Sequence, residues 1–211
     1  MTSKTAALEK PIAITGDQAE CLTEIFRHQV NLAIWNRSLR PEVAAFAAQL
    51  TAQAGQLERF VTLSEADNAA MVLPTWALKM DGAEAWLTDA NEILAMYRCL
   101  FEPDAVGLRL HVLRGTMCPR FHTDRVPVRL LCTYQGIGTE WLHETQVTRP
   151  QSDGPLPDQA VEPSHVSRLT TGAIGLFKGE AWEGNEGCGI VHRSPAPDDD
   201  QPRLVMALDW L

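Results

Sequence analysis

The residues best suited to chemistry in this 211-residue chain are two histidines and an aspartate. His122 and Asp124 are separated by one residue, and His192 lies far along the chain. Two imidazoles and one carboxylate are the ligand set of non-haem Fe(II) sites that keep coordination positions open. Residues two apart on a strand point to the same side, so His122 and Asp124 can reach one ion. The pattern predicts a metal site made of these three side chains.

A basic residue that would accompany this site is Arg203, which follows His192 across an acidic, proline-containing turn. If that turn joins two strands of a hairpin, the guanidinium returns beside the metal. There it could hold a carboxylate through two hydrogen bonds. Arg129 and Arg193 are alternative basic partners, so the sequence does not single out Arg203. His111, on an earlier strand-like segment, is interpreted as a histidine of the core.

Residues 106–211 predict the β-rich core that must position these side chains. Short runs with alternating or β-branched character are separated by turns that contain glycine and proline. The predicted strands are 107–114, 126–134, 139–142, 172–177, 190–192 and 203–210. A double-sheet jelly roll closes such strands without long exposed edges, and its mouth can gather ligands from several of them. The turn at 183–189 and the loop at 150–163 are predicted to border that mouth.

Residues 1–105 are predicted to be mainly helical. Apolar residues recur at helical spacing from Asp17 to about Trp35, from Pro41 to about Ala54, and from Asp81 towards Pro103. Together the two parts predict an α+β fold in one compact domain. In this fold the N-terminal helices pack on the jelly-roll, cupin-like core.

Composition excludes several classes of protein. The formal net charge of −9 disfavours binding to the phosphate backbone of nucleic acids. No apolar run approaches the roughly 20 residues that span a bilayer, so no membrane partner is expected. The polar N-terminus lacks the apolar stretch of a signal peptide, which makes the cytoplasm the expected location. Five cysteines without a Cys-x-x-Cys pair argue against a disulfide framework and a zinc ribbon.

In order and spacing, several segments resemble the double-stranded β-helix of the 2-oxoglutarate/Fe(II) dioxygenases. The segments that carry this resemblance are Leu108–Gly115, Phe121–Asp124, Leu130–Tyr134, Gly136–Gly138, Thr139–Leu142 and Gly172–Phe177. They cover about half of the chain. The second half of the predicted hairpin departs from the usual pattern because it lacks Gly-Gly-Glu.

This resemblance implies a cofactor and a co-substrate. Fe(II) would be held by the two histidines and the aspartate named above. 2-Oxoglutarate would bind with its distal carboxylate on Arg203. Tyr134 and Arg193 are further candidates for contacts with this co-substrate, because a phenol hydroxyl and a guanidinium both donate to carboxylates.

A closer resemblance is to a bacterial family of unknown function, which we associate with the neighbourhood of zinc-homeostasis GTPases. It rests on Phe121–Tyr134, Gly138–Leu142, Lys178–Glu180 and Val191–Pro195. This family supplies neither a substrate nor an activity.

Three hypotheses follow. The first is a 2-oxoglutarate-dependent Fe(II) oxygenase that hydroxylates an unknown substrate. The second is a non-enzymatic zinc-binding protein of metal homeostasis, in which Cys118 or His143 adds a fourth ligand. The third is a jelly roll that binds a sugar or another small molecule without redox chemistry. A closed site with four protein ligands would indicate zinc, whereas three ligands facing an open cavity would indicate catalysis.

Overall fold

A computed structural model describes residues 10–151, 154–196 and 201–211. Its strands are β1 Ile12–Gly16, β2 Val30–Trp35, β3 Leu57–Leu63, β4 Val106–Leu113, β5 Val128–Gln135, β6 Glu140–Trp141, β7 Ser167–Arg168, β8 Ile174–Lys178, β9 His192–Arg193 and β10 Arg203–Trp210. Its α-helices are α1 Pro41–Ala54 and α2 Ala83–Phe101. Short 3-10 helices lie at Ala19–Phe26, Ala69–Val72, Ala77–Lys79, Glu144–Gln146 and Pro163–His165.

The strands form two sheets. The larger sheet has seven strands in the order β1-β2-β8-β5-β10-β4-β3, and the smaller has three in the order β7-β6-β9. Only the β1–β2 pair is parallel among these described strands. β2 pairs with β8, and β3 pairs with β4. Strands from the first 105 residues therefore extend the sheet on both sides, and the two predicted parts of the chain share it.

The adjacent strands β5, β10 and β4 bury side chains on both faces of the large sheet. Their even-numbered residues, such as Leu110 on β4, Leu130 on β5 and Met206 on β10, join α1 and α2 in the larger core. Odd-numbered residues such as Leu131 and Ala207 belong to a smaller core on the opposite face. Because side chains alternate along a strand, these two sets cannot exchange faces.

The residues at the ends of α1 and the apolar spacing in α2 explain why these segments are helical. Pro41 occupies the first turn of α1, where its missing N–H costs no hydrogen bond. Gly55 follows the helix with a positive φ of 63°, which glycine adopts without steric cost. In α2, Trp86, Ile93 and Tyr97 recur on the buried face. In the described part of the chain, no helix combines the length and apolar character needed to cross a bilayer.

The helix predicted from Asp17 to about Trp35 is wrong. The structure has a 3-10 helix at Ala19–Phe26 and then β2. All of Val30–Ile34 is buried between β1 and β8. A short apolar run of this kind satisfies a helical period and a buried strand equally well, so periodicity alone could not decide. β3 was not predicted, because most of its residues are exposed and it carries little alternation.

Tyr134 is part of a buried polar network on the helix side of β5. Its hydroxyl donates to Asp89 Oδ2 at 2.8 Å, and Arg37 binds both oxygens of the same carboxylate at 2.5 and 2.9 Å. Tyr134 points to the same face of β5 as Cys132, whereas Arg129 on the same strand points to the other face. It is therefore unavailable to a co-substrate beside the predicted ligands, which corrects the interpretation of Tyr134 as a cofactor-binding residue.

The substitution Tyr134→Phe tests this placement. It removes one hydrogen bond to a buried carboxylate and should lower the free energy of unfolding by about 1–2 kcal/mol. Metal and 2-oxoglutarate affinities should stay unchanged. Urea unfolding followed by tryptophan fluorescence measures the first effect, and equilibrium titration measures the second. Weaker 2-oxoglutarate binding at unchanged stability would contradict the placement.

Candidate metal centre

Backbone pairing brings the two predicted histidine ligands together. His122 and His192 form an antiparallel bridge in which each N–H donates to the other's carbonyl at 3.0 Å. On its other side, His192 in β9 pairs with Trp141 in β6. The two imidazole rings consequently lie side by side, with centroids 4.6 Å apart.

The aspartate completes the group. Asp124 Oδ2 lies 3.4 Å from His192 Nε2, and Oδ1 lies 3.9 Å from His122 Nε2. Ligand atoms of the three residues all lie within 4.8 Å of one another. Two ligands at right angles on an ion, each about 2.1 Å from it, are about 3 Å apart. Small side-chain movements would therefore bring all three onto one ion.

Hydrogen bonds fix the tautomer that a metal requires. His122 Nδ1 lies 2.9 Å from the carbonyl of Arg120, and His192 Nδ1 lies 3.1 Å from the carbonyl of Ile190. A carbonyl only accepts, so Nδ1 carries a proton in each ring, and in a neutral imidazole of this tautomer Nε2 offers its lone pair to a metal. Burial, aided by the neighbouring His192, lowers the pKa of His122 and so favours the neutral, ligating form.

Asp124 is an ionised carboxylate with one unsatisfied oxygen. Burial opposes its ionisation, yet His192, Arg129 and His122 together hold the pKa of Asp124 well below its ordinary value. Oδ1 accepts a hydrogen bond from Arg129 at 2.7 Å. Oδ2 is buried and finds no hydrogen-bond partner among the described residues. Such an atom is costly unless something positive contacts it, so a cation between Oδ2 and the two Nε2 atoms fits this donor set.

A chain of charges behind the site orients Asp124. Arg129 Nε donates to Asp209 Oδ1 at 2.6 Å, and Arg109 Nε donates to Asp209 Oδ2 at 2.9 Å. Asp209 sits on β10 directly opposite Arg129 on β5. Arg129 is thereby locked between two carboxylates. It occupies Oδ1 of Asp124 and leaves Oδ2 for a metal.

A cavity of about 130 Å³ opens beside the histidines. Its floor is the odd-numbered face of β4, β5 and β10. The lining residues are Arg109, His111, Leu113, Met117, Cys118, His122, Arg129, Leu131, Thr139, His192, Arg193, Ser194, Arg203, Val205 and Ala207. These include four arginines and no carboxylate. The cavity therefore favours an anionic ligand, although the chain as a whole is acidic.

Arg203 differs from the other basic candidates in this cavity. It is 1% exposed, and its guanidinium donates to the carbonyl of Ile137 at 2.5 Å and to Ser194 Oγ at 2.6 Å. Burial lowers the pKa of Arg203 to about 10, against an opposing effect of Glu140. Among the described residues no carboxylate forms an ion pair with it. A buried guanidinium in this state is stabilised by an anionic ligand.

The two alternative arginines are already paired. Arg193 Nε donates to Glu140 Oε2 at 2.6 Å, and its guanidinium lies 4.3 Å from the centroid of the Phe121 ring. Arg129 is held by the two carboxylates described above. The geometry therefore favours Arg203 over Arg129 and Arg193 as the residue that binds an anion.

The proposed fourth zinc ligands do not join the triad. Within the described ranges, no further His, Cys, Asp or Glu belongs to the group of ligand atoms. Cys118 is exposed and lines the cavity. His143 is exposed and packs against Trp141, with ring centroids 4.4 Å apart. Three ligands and an open cavity are the arrangement that leaves coordination positions free.

Three residues of the site were not assigned to it from the sequence. His111 is buried, as predicted, but it also lines the cavity. Asp209 and Glu140 anchor the cavity arginines from buried positions. His111 and Arg109 lie two residues apart on one strand, so their side chains point to the same face, and this spacing would have placed both on the cavity side. No residue pattern near Asp209 or Glu140 indicates that these carboxylates belong to the site.

The loops predicted to border the cavity border a different groove. Pro150, the segment 154–156 and Gly187 line a second, larger depression of about 610 Å³, which shares His122 with the first cavity. Part of the predicted loop, residues 152 and 153, lies outside the described residues. These loops therefore lie beside the candidate metal ligand His122, as predicted, but they border the second depression and not the cavity that contains Arg203.

Comparison with known proteins agrees with this arrangement at the level of fold. A family model described as protein of unknown function (DUF1826) matches residues 16–209. None of the curated proteins matches the chain. A full-length Neurospora crassa protein in complex with α-ketoglutarate (2-oxoglutarate) is 11% identical with a TM-score of 0.51, over 100% of this chain and 88% of that one. This likeness shows a shared fold.

Two further solved structures are similar over most of their length. A Pseudomonas putida prolyl-4-hydroxylase is 12% identical with a TM-score of 0.44, over 90% of this chain and 96% of that one. A rice dioxygenase for auxin oxidation is 15% identical with a TM-score of 0.48, over 96% of this chain and 83% of that one.

The metal site makes a prediction about its ligands. His122→Ala, Asp124→Ala and His192→Ala should each lower metal affinity at least about tenfold, because three ligands offer no redundancy. His143→Ala is the matched control and should bind metal like the unaltered protein. Competition with a metallochromic chelator measures the affinities. A His192→Ala protein that binds metal as tightly as the control would remove this site.

A second prediction concerns Arg129, which connects Asp209 to Asp124. Arg129→Gln should weaken metal binding about 10–100-fold, the usual effect of losing a residue that orients a ligand. The control is Arg168→Gln, which removes another arginine from a buried carboxylate, Glu140, away from Asp124. The same chelator competition, with thermal unfolding as a check on folding, measures both. Equal metal affinities in the two variants would exclude an orienting role for Arg129.

Proposed function

We propose that this chain, which belongs to the family described as protein of unknown function (DUF1826), is a 2-oxoglutarate-dependent Fe(II) oxygenase. The proposal rests chiefly on one observation. A buried arginine with no described ion-pair partner lines the same cavity as a 2-His-1-carboxylate group. The fold shared with the Neurospora crassa protein, whose structure contains α-ketoglutarate, is consistent with it. Fold alone would not carry an activity.

The metal would be held by His122, Asp124 and His192. Both imidazoles have Nδ1 against a backbone carbonyl and leave Nε2 for a metal, and Asp124 presents Oδ2 as an unsatisfied anionic oxygen. Imidazole and carboxylate donors suit Fe(II), and three of them leave positions for exchangeable ligands. When bound, Fe(II) and 2-oxoglutarate supply the activation of O₂ for hydroxylation of a C–H bond.

The chain itself would bind and orient the co-substrate. The hydrogen bonds from Arg203 to Ile137 and Ser194 fix the plane of the guanidinium before any ligand arrives. Its remaining N–H groups would bind the distal carboxylate of 2-oxoglutarate with charge-assisted hydrogen bonds. Because Ser194 Oγ accepts from Arg203, its own proton is free to be donated to the same carboxylate.

Apolar side chains would limit the access of water to the reacting groups. Leu131, Val205 and Ala207 form the floor between the arginines. Removing water from this space strengthens the interaction of Arg203 with a carboxylate, because the local dielectric constant falls.

A zinc-binding role in metal homeostasis is the second candidate. It is favoured by one observation, the position of Cys118 on the wall of the same cavity. A thiolate that moved onto the metal would close the site with a fourth protein ligand, as structural zinc prefers. This candidate requires no co-substrate and gives Arg203 no role.

Binding of 2-oxoglutarate tests the role of Arg203. Arg203→Gln should keep metal affinity but weaken 2-oxoglutarate by about 1.5–3 kcal/mol, roughly 10–150-fold, because a charged hydrogen-bond donor is lost. The metal-to-ligand absorption of the anaerobic Fe(II) complex follows the titration. Arg168→Gln, which alters an arginine outside the cavity, is the control. Unchanged affinity in Arg203→Gln, with loss in an Arg193→Gln protein, would transfer the anion-binding role to Arg193.

Turnover separates the two candidate functions. The Fe(II) protein given 2-oxoglutarate and O₂ should release succinate slowly without its true substrate, and His192→Ala should release none above a metal-free control. A zinc carrier would produce no succinate. It would also bind zinc tetrahedrally, and Cys118→Ser would weaken that binding. This second set of results would decide against the oxygenase.

A further inference from the structure

Arg109 lies at the rim of the cavity in a fixed position. Its Nε donates to Asp209, and its guanidinium carbon lies 4.8 Å from the centroid of the Phe60 ring. The side chain is 42% exposed. No hydrogen bond to a described residue involves its two terminal nitrogens. The Nη1/Nη2 edge, which matches the geometry of a carboxylate, therefore remains available in a preorganised guanidinium.

His111 stands beside Arg109 on the same face of β4. It is 6% exposed and lines the cavity, and no described residue accepts or donates a hydrogen bond at its ring. Its neighbours across the sheet are Val205 on β10 and Glu58 on β3. Burial lowers the pKa of His111, opposed by Glu58, so the ring is mainly neutral. A neutral imidazole offers one donor to a ligand.

These two residues are too far from Arg203 to share its ligand. In the register of β4 and β10, Arg109 lies opposite Ala207, whereas Arg203 lies opposite Leu113. Four residues along a strand correspond to about 13 Å between the Cα positions. The carboxylate on Arg203 and an anion on Arg109 would thus occupy opposite ends of the cavity.

The surroundings of Arg109 supply an apolar contact. Phe60 is 51% exposed, and its ring lies over Gly107, where a Cβ would come within 3.0 Å of Phe60 Cε2. Glycine at this position allows the ring to lie against the strand next to the guanidinium. An exposed phenylalanine beside an unoccupied guanidinium edge is suited to a ligand with an anionic end and an apolar body.

We propose that Arg109 and His111 form a second anion subsite, which binds a carboxylate of the primary substrate while Phe60 packs against its apolar body. The substrate is accordingly a small carboxylic acid with an apolar or aromatic group. The subsite itself follows from the geometry of β3, β4 and β10. Its assignment to a substrate rests on the oxygenase function proposed above.

Benzoate is the probe for this subsite, with benzamide as its neutral counterpart and acetate as a carboxylate without an apolar body. Binding is measured by protein-observed NMR in a buffer free of other carboxylates, first with metal-free protein and then with zinc and 2-oxoglutarate present. Benzoate should bind in both states, and benzamide and acetate should each bind at least about tenfold more weakly. Arg109→Gln and His111→Gln should each weaken benzoate at least about fivefold.

Three further variants make the result specific. Phe60→Ala, at an exposed position that does not threaten folding, should weaken benzoate and leave acetate unchanged. Arg59→Gln is the matched control, because Arg59 is an exposed arginine on β3 whose neighbours face the helices. Arg203→Gln should retain benzoate binding. Loss of benzoate in Arg203→Gln, or no loss in Arg109→Gln, would overturn the subsite.

The experiment also separates this subsite from the oxygenase proposal. Benzoate binding that depends on Arg109, in a protein that binds no 2-oxoglutarate, would keep the subsite and overturn the oxygenase. Binding of 2-oxoglutarate without Arg109-dependent benzoate binding would do the reverse. Competition between the two ligands at one site would also overturn the proposal of two separate anion positions.

Discussion

The site depends on β10 lying between β4 and β5 with both of its faces buried. Because side chains alternate along a strand, the even-numbered residues of β10 pack against the helices and its odd-numbered residues face the cavity. Asp209 is the odd-numbered residue that both neighbouring strands reach, and it binds Arg129 on one side and Arg109 on the other. One buried carboxylate thus fixes an arginine that orients Asp124 and a second arginine at the cavity rim.

Charge is distributed unevenly between these groups. Arg129 and Arg193 are compensated by buried carboxylates, whereas Arg203 has no such partner among the described residues and Asp124 retains an oxygen without a donor. Leaving buried polar groups unpaired costs stability, so a protein tolerates them mainly where a ligand completes them. The two incomplete groups have opposite charge. A cation suits Asp124, and an anion suits Arg203.

The sequence grouped the three candidate metal ligands because their pattern is local. His122 and Asp124 lie two apart, and the strands that flank them, including β5 and β10, carry clear β-type patterns. It could not choose among the cavity arginines, since Arg129 and Arg203 share a cavity and differ only in their partners. Asp209 lies 80 residues from Arg129, and Glu140 lies 53 residues from Arg193. Ion pairs between residues so far apart in the sequence cannot be recognised from a local residue pattern.

Two of the wrong predictions, those for β2 and Tyr134, have separate causes. β2 was taken for the end of a helix because a buried apolar run fits either period, and its partner β8 lies far along the chain. Tyr134 was assigned to the co-substrate because its hydroxyl can donate to a carboxylate. It lies two residues from Cys132 on β5, however, so both side chains point towards the helices. The alternation of side chains along a strand would have corrected the assignment of Tyr134 but not that of β2.

The three arginines on the floor strands are distinguished by what already binds them. Arg129 uses its guanidinium on two carboxylates and can only position Asp124. Arg203 is held by a carbonyl and a hydroxyl, neither of which neutralises it. Arg109 is neutralised through Nε and keeps its outer edge, so it can bind an exposed anion without the cost of burying a new charge. In the proposed oxygenase, the anion on Arg203 would be held strongly and the one on Arg109 weakly, which suits an enzyme that retains a co-substrate while it exchanges substrates.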